Sequence, residues 1–440
     1  MKNAGSNIQI DVDSLRVGMF IHLDVGWMSH PFPLSSFRIA SPEQIATIRS
    51  LGIKQLRWSP EQSALMQAQD EAARAIEAAS KSASTTAASQ SNAAEEEAVE
   101  PESNPELAAR RQRRAAVVAQ RAALVQCEHQ FAEATRESRL VSELVADQPQ
   151  AASQKAQALT QAFVDKMLSS QDVCIRLLSE AAGDRASAHA VNVALVSLLM
   201  GRSFGFTPEE MEDLGVGALL HDVGKLDLLP RIRHREEHFS VSESKAYEEH
   251  VAHGVSRAKK MGLSQAATLV IAQHHEHADG SGFPLRLGSD RMTPASRIVA
   301  LIDRYDNLCN PHVLSKALTP HEALSLLFAQ GKSRYDTAIL GAFIKMMGVY
   351  PPGSVVQLTD DRFAIVVGVN STRPLKPRVV VHDPRVPADE AAILDLELTP
   401  NLGIRRSMRA QSLPLDALES LAPRQRVAYF FEPAHGEVSP

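Results

Sequence analysis

Half of the chain's histidines crowd into one stretch. Eight of the sixteen lie between His221 and His277, a window of 57 of the 440 residues, where an even scatter would leave about two. The same window carries "LLHDVGKLDLLP" and "HHEHADGSGFP", so the imidazoles stand next to Gly, Ser and Pro. Side-chain packing does not ask for that much imidazole beside that much backbone freedom. The histidines fall at helix ends and on helix faces, and the fold has to reconcile them around a shared chemical demand.

The chain around this window divides by texture. Residues 7–65 are expected to form a small α/β domain: "IQIDVDSLRVGMFIHLDV" alternates, with Gly18 as a turn, and Ser41-Pro42 opens a helix that Gly52 ends before the return strand "IKQLRW". Residues 79–105 have almost no large apolar side chain and an acidic run at Glu95–Glu97, and they read as a disordered linker. Residues 106–150 are expected to carry one long helix, since Glu106–Val145 lacks Gly and Pro. Its "RRQRR", Arg110–Arg114, reads as a solvated face near the acidic linker, not a nucleic-acid patch.

Residues 155–348 form the expected core, with 155–345 helical throughout by pattern and stops at Gly183, Gly205, Gly224 and Gly262. Beyond Tyr350, "GSVVQLTDDRFAIVVGV" and "KPRVVVHDP" alternate, and 349–435 reads as a small β-rich C-terminal extension. The fold class is therefore mainly α, an all-helical core between a small α/β domain and a small β-rich extension.

Several residues invite metal chemistry. His189 sits on an otherwise apolar helix, where a lone histidine is ordinarily a satisfied core residue. His221 and Asp222 close an apolar helix, where the dipole favours the histidine and disfavours the aspartate. His250 and His253 share one helix, three apart, so spacing alone admits both as ligands. His274 and His275 are adjacent, and Asp303 ends an apolar run, where a buried carboxylate needs a partner. Imidazole with carboxylate and no thiolate suits Fe, Mn or Zn better than a structural zinc knuckle. Two such ions ~3.5–4 Å apart would clamp a phosphodiester and hold a bridging hydroxide. Lys225, one turn past Asp222, could meet a phosphate oxygen.

His189, His221-Asp222 with Gly224-Lys225, His250 followed by Gly254, His274-His275-Glu276, Asp279-Gly280-Ser281-Gly282-Phe283-Pro284 and Asp303 stand in the order and approximate spacing of the HD-GYP family, which this chain resembles from about Phe163 to Tyr350. That family is a branch of the HD metal-dependent phosphohydrolases, and residues 7–58 resemble a small domain of unknown function found ahead of such cores in bacteria. The resemblance implies an all-α fold and hydrolysis of cyclic di-GMP to linear pGpG or onward to GMP. It implies His189, His221, Asp222, His250, His274, His275 and Asp303 as ligands, with Asp222 bridging and Lys225 on a substrate phosphate. His253 and His277 fall outside the family's pattern. Glu276 would orient the neighbouring histidines or cap the helix, and Asp279 would brace the turn.

Three positions depart from the family. Phe283 replaces the tyrosine of Gly-Tyr-Pro and loses its hydroxyl. Arg185 stands where trinuclear members carry a glutamate, so two metals are expected, Fe or Mn before Zn, and with them arrest at pGpG. The Arg-Pro-Tyr-Arg stretch of many members is replaced by "NLCNPHVLSKAL", leaving His312, Lys316 and Arg297 as candidate substrate contacts, with a salt bridge to a helix end the other reading of Arg297.

Composition bounds the rest. A net charge of −6 gives no basic field for DNA, and no stretch reaches the ~20 apolar residues of a membrane helix. Three scattered cysteines and no apolar leader point to a reducing, cytoplasmic setting. The leading expectation is a cyclic di-GMP phosphodiesterase. The competing one is a weakly active or inactive receptor that docks a diguanylate cyclase domain, which the lost hydroxyl favours and the intact ligand set opposes. The long helix is compatible with a homodimer.

Overall fold

The computed structural model describes residues 8–23, 36–39, 41–60, 63, 105–169, 172–179, 184–234, 239–330, 333–370, 374, 376–387, 391–399 and 401–433. The expected linker therefore lies outside the described residues except for Pro105, as do Gly183 and the side chains of Arg110–Arg114. Two compact units are present, residues 1–109 and 110–440.

In the first unit, strands β1 (Ile8–Asp11), β2 (Phe20–His22), β3 (Ser36–Arg38) and β4 (Gln55–Trp58) form an antiparallel sheet in the order β1-β4-β2-β3. Helix α1 (Pro42–Ser50) starts at Ser41-Pro42, and its Ile48 joins Leu15, Ile21, Leu23, Ile39 and Leu56 in a small core. This is the α/β arrangement that the alternating pattern predicts.

Helix α2 (Pro105–Leu144) is a single 40-residue helix, and its later turns bury Cys127, Phe131, Ala134 and Val141. The second unit continues with α3 (Pro149–Leu168), α4 (Arg185–Ser203), α5 (Pro208–Leu220), α6 (Val241–Met261), α7 (Gln265–Gln273), α8 (Pro294–Cys309), α9 (Pro320–Gln330) and α10 (Thr337–Met347), with α11 (Leu415–Leu421) near its end. Local chemistry fixes the ends. Thr207 with Glu210 and Ser240 with Glu243 form reciprocal caps that start α5 and α6. Gly262, at φ 70°, ends α6 in the left-handed conformation.

The expectation of unbroken helix over 155–345 fails at β5 (Val173–Leu177). "VCIRL" is buried at all five positions and pairs with β7 (Phe363–Asn370) on one side and β11 (Tyr429–Pro433) on the other. A strand buried on both faces shows no alternation, so periodicity cannot separate it from a buried helix. Nor is the C-terminal sheet self-contained. Its order is β10-β6-β7-β5-β11, with β6 at Val355–Leu358 and β10 at Ile404–Met408, and β8 (Arg378–Val381) and β9 (Ile393–Asp395) extend it from β7. A strand from between α3 and α4 thus lies inside it.

Its last strand also reaches the helices. Tyr429 meets Tyr305 hydroxyl to hydroxyl at 3.1 Å, and the Tyr429 and Val427 amides donate to Asn192 on α4 and Asn310 just past α8.

Gly224 does a different job from the expected helix stop. Helix α5 ends at Leu220 with His221 as its cap, and Gly224 lies within a following 3₁₀ turn, Val223–Asp227. A Cβ there would stand 1.9 Å from the His250 carbonyl oxygen and 2.4 Å from the Gly254 nitrogen. Glycine lets this turn touch the backbone of α6, which sets the distance between His221-Asp222 and His250. Gly224→Ala is expected to lower stability in denaturant by about 3 kcal/mol, the upper end of ordinary overpacking, and to reduce bound metal in parallel.

Candidate metal centre

Five helices deliver one cluster of side chains. His189 comes from the first turns of α4, His221 and Asp222 from the end of α5, His250 from α6, His274 and His275 from the end of α7, and Asp303 from α8. They fall into two groups able to hold an ion each: Asp222, His250, His274 and His275, and His189, His221 and Asp303. This is a pair of clusters consistent with a binuclear site.

The two carboxylates join the groups. Asp222 turns Oδ1 toward His250 Nε2 (3.7 Å) and His274 Nε2 (3.6 Å), and Oδ2 toward His221 Nε2 (3.4 Å) and His189 Nε2 (3.8 Å). Asp303 turns Oδ1 toward His189 (3.1 Å) and His221 (3.5 Å), and Oδ2 toward His275 Nδ1 (3.8 Å).

The imidazole tautomers follow from what faces each ring. His221, His250 and His274 each place Nδ1 against the backbone carbonyl three residues earlier, at Ala218 (2.7 Å), Tyr247 (2.5 Å) and Ile271 (2.8 Å). His189 places Nδ1 2.6 Å from the Asp306 carboxylate. A carbonyl or carboxylate oxygen only accepts, so Nδ1 carries the proton and Nε2 presents its lone pair inward. Nε2 atoms then meet at 3.2 Å between His189 and His221 and at 3.4 Å between His250 and His274. Two lone pairs at that separation repel unless a cation sits between them.

Electrostatics agree. Burial, reinforced by His274 and Lys225, pushes the His250 imidazole down to about 3, and burial also holds His275 well below its usual range. Burial opposes charge on His221 and His189 too, but the Asp222 and Asp303 carboxylates beside His221 and the Asp303 and Asp306 carboxylates beside His189 overcome it, raising His221 to about 10. The carboxyls of Asp222 and Asp303 lie well below their normal range despite burial, because Lys225 and the imidazoles surround them. Without a cation, protons on two imidazoles supply the missing positive charge, and a divalent ion would displace them. Asp222 Oδ1 and His275 Nε2 are buried with no hydrogen-bond partner. A donor set of neutral imidazoles and ionised carboxylates with such orphaned atoms fits a pair of divalent ions.

Lys225 donates to Asp222 Oδ2 at 2.5 Å, and its ammonium lies 5.4 Å from the Tyr247 ring centre. The other candidates lie elsewhere. Arg297 donates to Asp336 at 2.6 Å, the residue that caps α10, so the geometry gives it the salt bridge to a helix end. His312 is exposed and stacks on His234, and Lys316 is exposed at the end of a 3₁₀ turn, Leu314–Lys316. His253 and His277 belong to neither ligand group, and His277 pairs its Nδ1 with the Ser281 hydroxyl.

Glu276 neither orients the histidines nor caps their helix. Fully buried, it accepts the amides of Leu285 and Leu287 and so ties down the loop after Phe283. Asp279 accepts the Ser281 amide, the expected turn brace. A Cβ at Gly282 would stand 2.4 Å from the His277 nitrogen, so this loop crosses the His275–His277 backbone only as glycine. Phe283 then lies against His275, ring centres 4.6 Å apart, and near Tyr247.

Residue-by-residue reading of the sequence missed Asp306. It accepts from His189, Asn192 and Asn310, and so fixes the His189 ring. The signal was available: Asp306 is three residues after Asp303 on one helix, as Asn192 is three after His189. Asn307 likewise holds Asp303, at 2.7 Å. Carboxylates that hold a ligating histidine typically matter 10–100-fold in metal affinity. Asp306→Asn is expected to weaken one of two divalent ions by about that factor in a chelator competition and to leave the other within about threefold. Equal loss of both ions would contradict the division into two groups.

Comparison with known proteins gives two overlapping family matches. A family model described as an HD domain matches residues 139–339, and one described as a domain of unknown function, DUF3391, matches residues 7–170. A cyclic di-GMP phosphodiesterase of Pseudomonas aeruginosa is 26% identical over 44% of this chain and 47% of its own length. The cyclic di-GMP phosphodiesterase PdeB of Borreliella burgdorferi is 21% identical over 52% and 61%, and a 3′3′-cGAMP-specific phosphodiesterase of Vibrio cholerae is 29% identical over 40% and 35%. The chain thus spans roughly half the length of the curated relatives it matches. Among the described residues, no helix is long and apolar enough to cross a membrane. Residues 139–339 thus match an HD domain and are similar to distant relatives among cyclic di-GMP phosphodiesterases, with a domain of unknown function matched over the N-terminal part of the chain.

Proposed function

We propose that this HD phosphohydrolase opens cyclic di-GMP to linear pGpG. The observation that carries the reading is the placement of Asp222, one carboxylate whose two oxygens face two separate groups of imidazole nitrogens. A pair of divalent ions, Fe or Mn before Zn, would supply an activated water near neutral pH and positive charge for the phosphoryl oxygens.

The chain's own residues do the rest. Four of the seven ligands hold their geometry through bonds to backbone carbonyls (His221, His250 and His274) or to Asp306 (His189), so those rings need little reorganisation in the reaction. Asp222, His189, His275 and Lys225 are the partly exposed members, and they mark the side from which a phosphodiester enters. Lys225 is placed to pass from Asp222 to a phosphoryl oxygen as negative charge builds there. Phe283 covers His275 with an aromatic ring and keeps water from that flank, work that needs no hydroxyl. Arg185 offers no ligand for a third ion, which supports two ions and arrest at pGpG.

The test is anaerobic purification, metal counting, and chromatography of cyclic di-GMP with Mn²⁺ or Fe²⁺, with 3′3′-cGAMP as comparison substrate. Two ions per chain and accumulation of pGpG are expected. His221→Ala and Asp222→Ala should abolish turnover, and Lys225→Met should lower kcat by about 10²–10³-fold with metal retained. Tight binding of cyclic di-GMP to the metal-loaded protein without turnover would replace this reading with that of a receptor. Progress to GMP would overturn the two-ion reading.

A further inference from the structure

Behind His189 lies a cavity of about 290 Å³. Its wall includes Arg185 and His189 from α4, Asp306 and Asn310 from the end of α8, and Arg426 from the segment leading into β11. Its charge is unusual. The two arginines line the same space, and burial together with the nearby Arg426 guanidinium disfavours charge on Arg185. Among the described residues, neither has a carboxylate within ion-pair distance. Arg185 reaches only neutral acceptors or imidazoles: the Asn310 carbonyl at 3.1 Å, His234 Nδ1 at 3.2 Å and His312 Nδ1 at 3.4 Å. Its Nε is buried with no partner at all. The one carboxylate on the wall, Asp306, already accepts from His189, Asn192 and Asn310. Both arginines are half-buried. A partly desolvated guanidinium without a counter-ion carries a cost, and a phosphate or carboxylate bound between two of them offsets it.

His189 is the shared wall, with Nε2 turned to the ligand cluster and the ring lining this cavity. An anion held by the arginines would therefore lie one side chain away from a phosphodiester at the metal centre. A cyclic dinucleotide carries two phosphates, and only one is cleaved at a time. Resting on the reading of this chain as a cyclic dinucleotide phosphodiesterase, we propose that Arg185 and Arg426 form an anion pocket that binds the phosphate not under attack. The arginine in place of an acidic side chain at position 185 then acts in substrate selection, favouring diesters with a second phosphate at the right reach.

Arg185→Gln and Arg426→Gln keep length and polarity and remove the charge. With metal content verified as unchanged, each is expected to raise KM for cyclic di-GMP by about tenfold or more, since bonds to charged groups have that weight. Hydrolysis of bis(4-nitrophenyl) phosphate, which has a single phosphate, should stay within about twofold. Arg185→Lys should recover part of the loss, which a purely structural role of the guanidinium would not predict. Calorimetric titration of the metal-free chain with inorganic phosphate should show one site, lost in both glutamine variants. Unchanged KM together with unchanged phosphate binding would overturn the pocket while leaving the phosphodiesterase reading intact. If the wild type turns over no cyclic di-GMP, that reading falls separately, and the phosphate titration alone decides the pocket.

Discussion

Four imidazole nitrogens pressed together in pairs, each with its lone pair turned inward, are the constraint on which the rest of this structure depends. The Nε2 atoms of His189 and His221 stand 3.2 Å apart and those of His250 and His274 3.4 Å apart, and backbone carbonyls or Asp306 hold the rings in place. Such a centre calls for positive charge inside it, which protons or a pair of divalent ions would supply. The surroundings are built to hold the rings still while that charge is present. Gly224 and Gly282 let backbone pass at distances a side chain would forbid, and Glu276 spends a buried carboxylate on two loop amides.

How much of this was legible in sequence depended on where the information is written. The seven side chains that the structure gathers were all visible as letters, because ligands are defined by identity and by position at helix ends. The small N-terminal domain was equally plain, since Ser41-Pro42, Gly52 and the alternating strands are local signals. The strand β5 was not, because five buried residues in a row carry no period. Glu276 was misread for a related reason. Its neighbours in sequence are ligands, but its hydrogen bonds go to residues 9 and 11 positions away, and only the loop's path reveals them.

Asp306 and Arg185 show the intermediate case. Asp306 was recoverable from helical spacing, given that Asp303 was already suspected. Arg185 was recognised for the glutamate it replaces, and so for what it prevents. Its surroundings add what it offers: a guanidinium with an orphaned nitrogen, opposite a second arginine from far along the chain. No local pattern could place Arg426 there.

The contact between Tyr305 and Tyr429 has a consequence for how the protein comes into being. The two residues are 124 positions apart. At ordinary rates of synthesis, the second emerges on the order of 10 s after the first. All seven candidate ligands precede Tyr305 in the chain, while Asn192, Tyr305 and then Asn310 wait for the partners that their burial requires. A nascent chain therefore passes through a period in which its candidate ligands are complete but its core cannot close. An ion captured at that stage would hold the helices together until the last strand arrives, and would act in assembly as well as in any chemistry at the site.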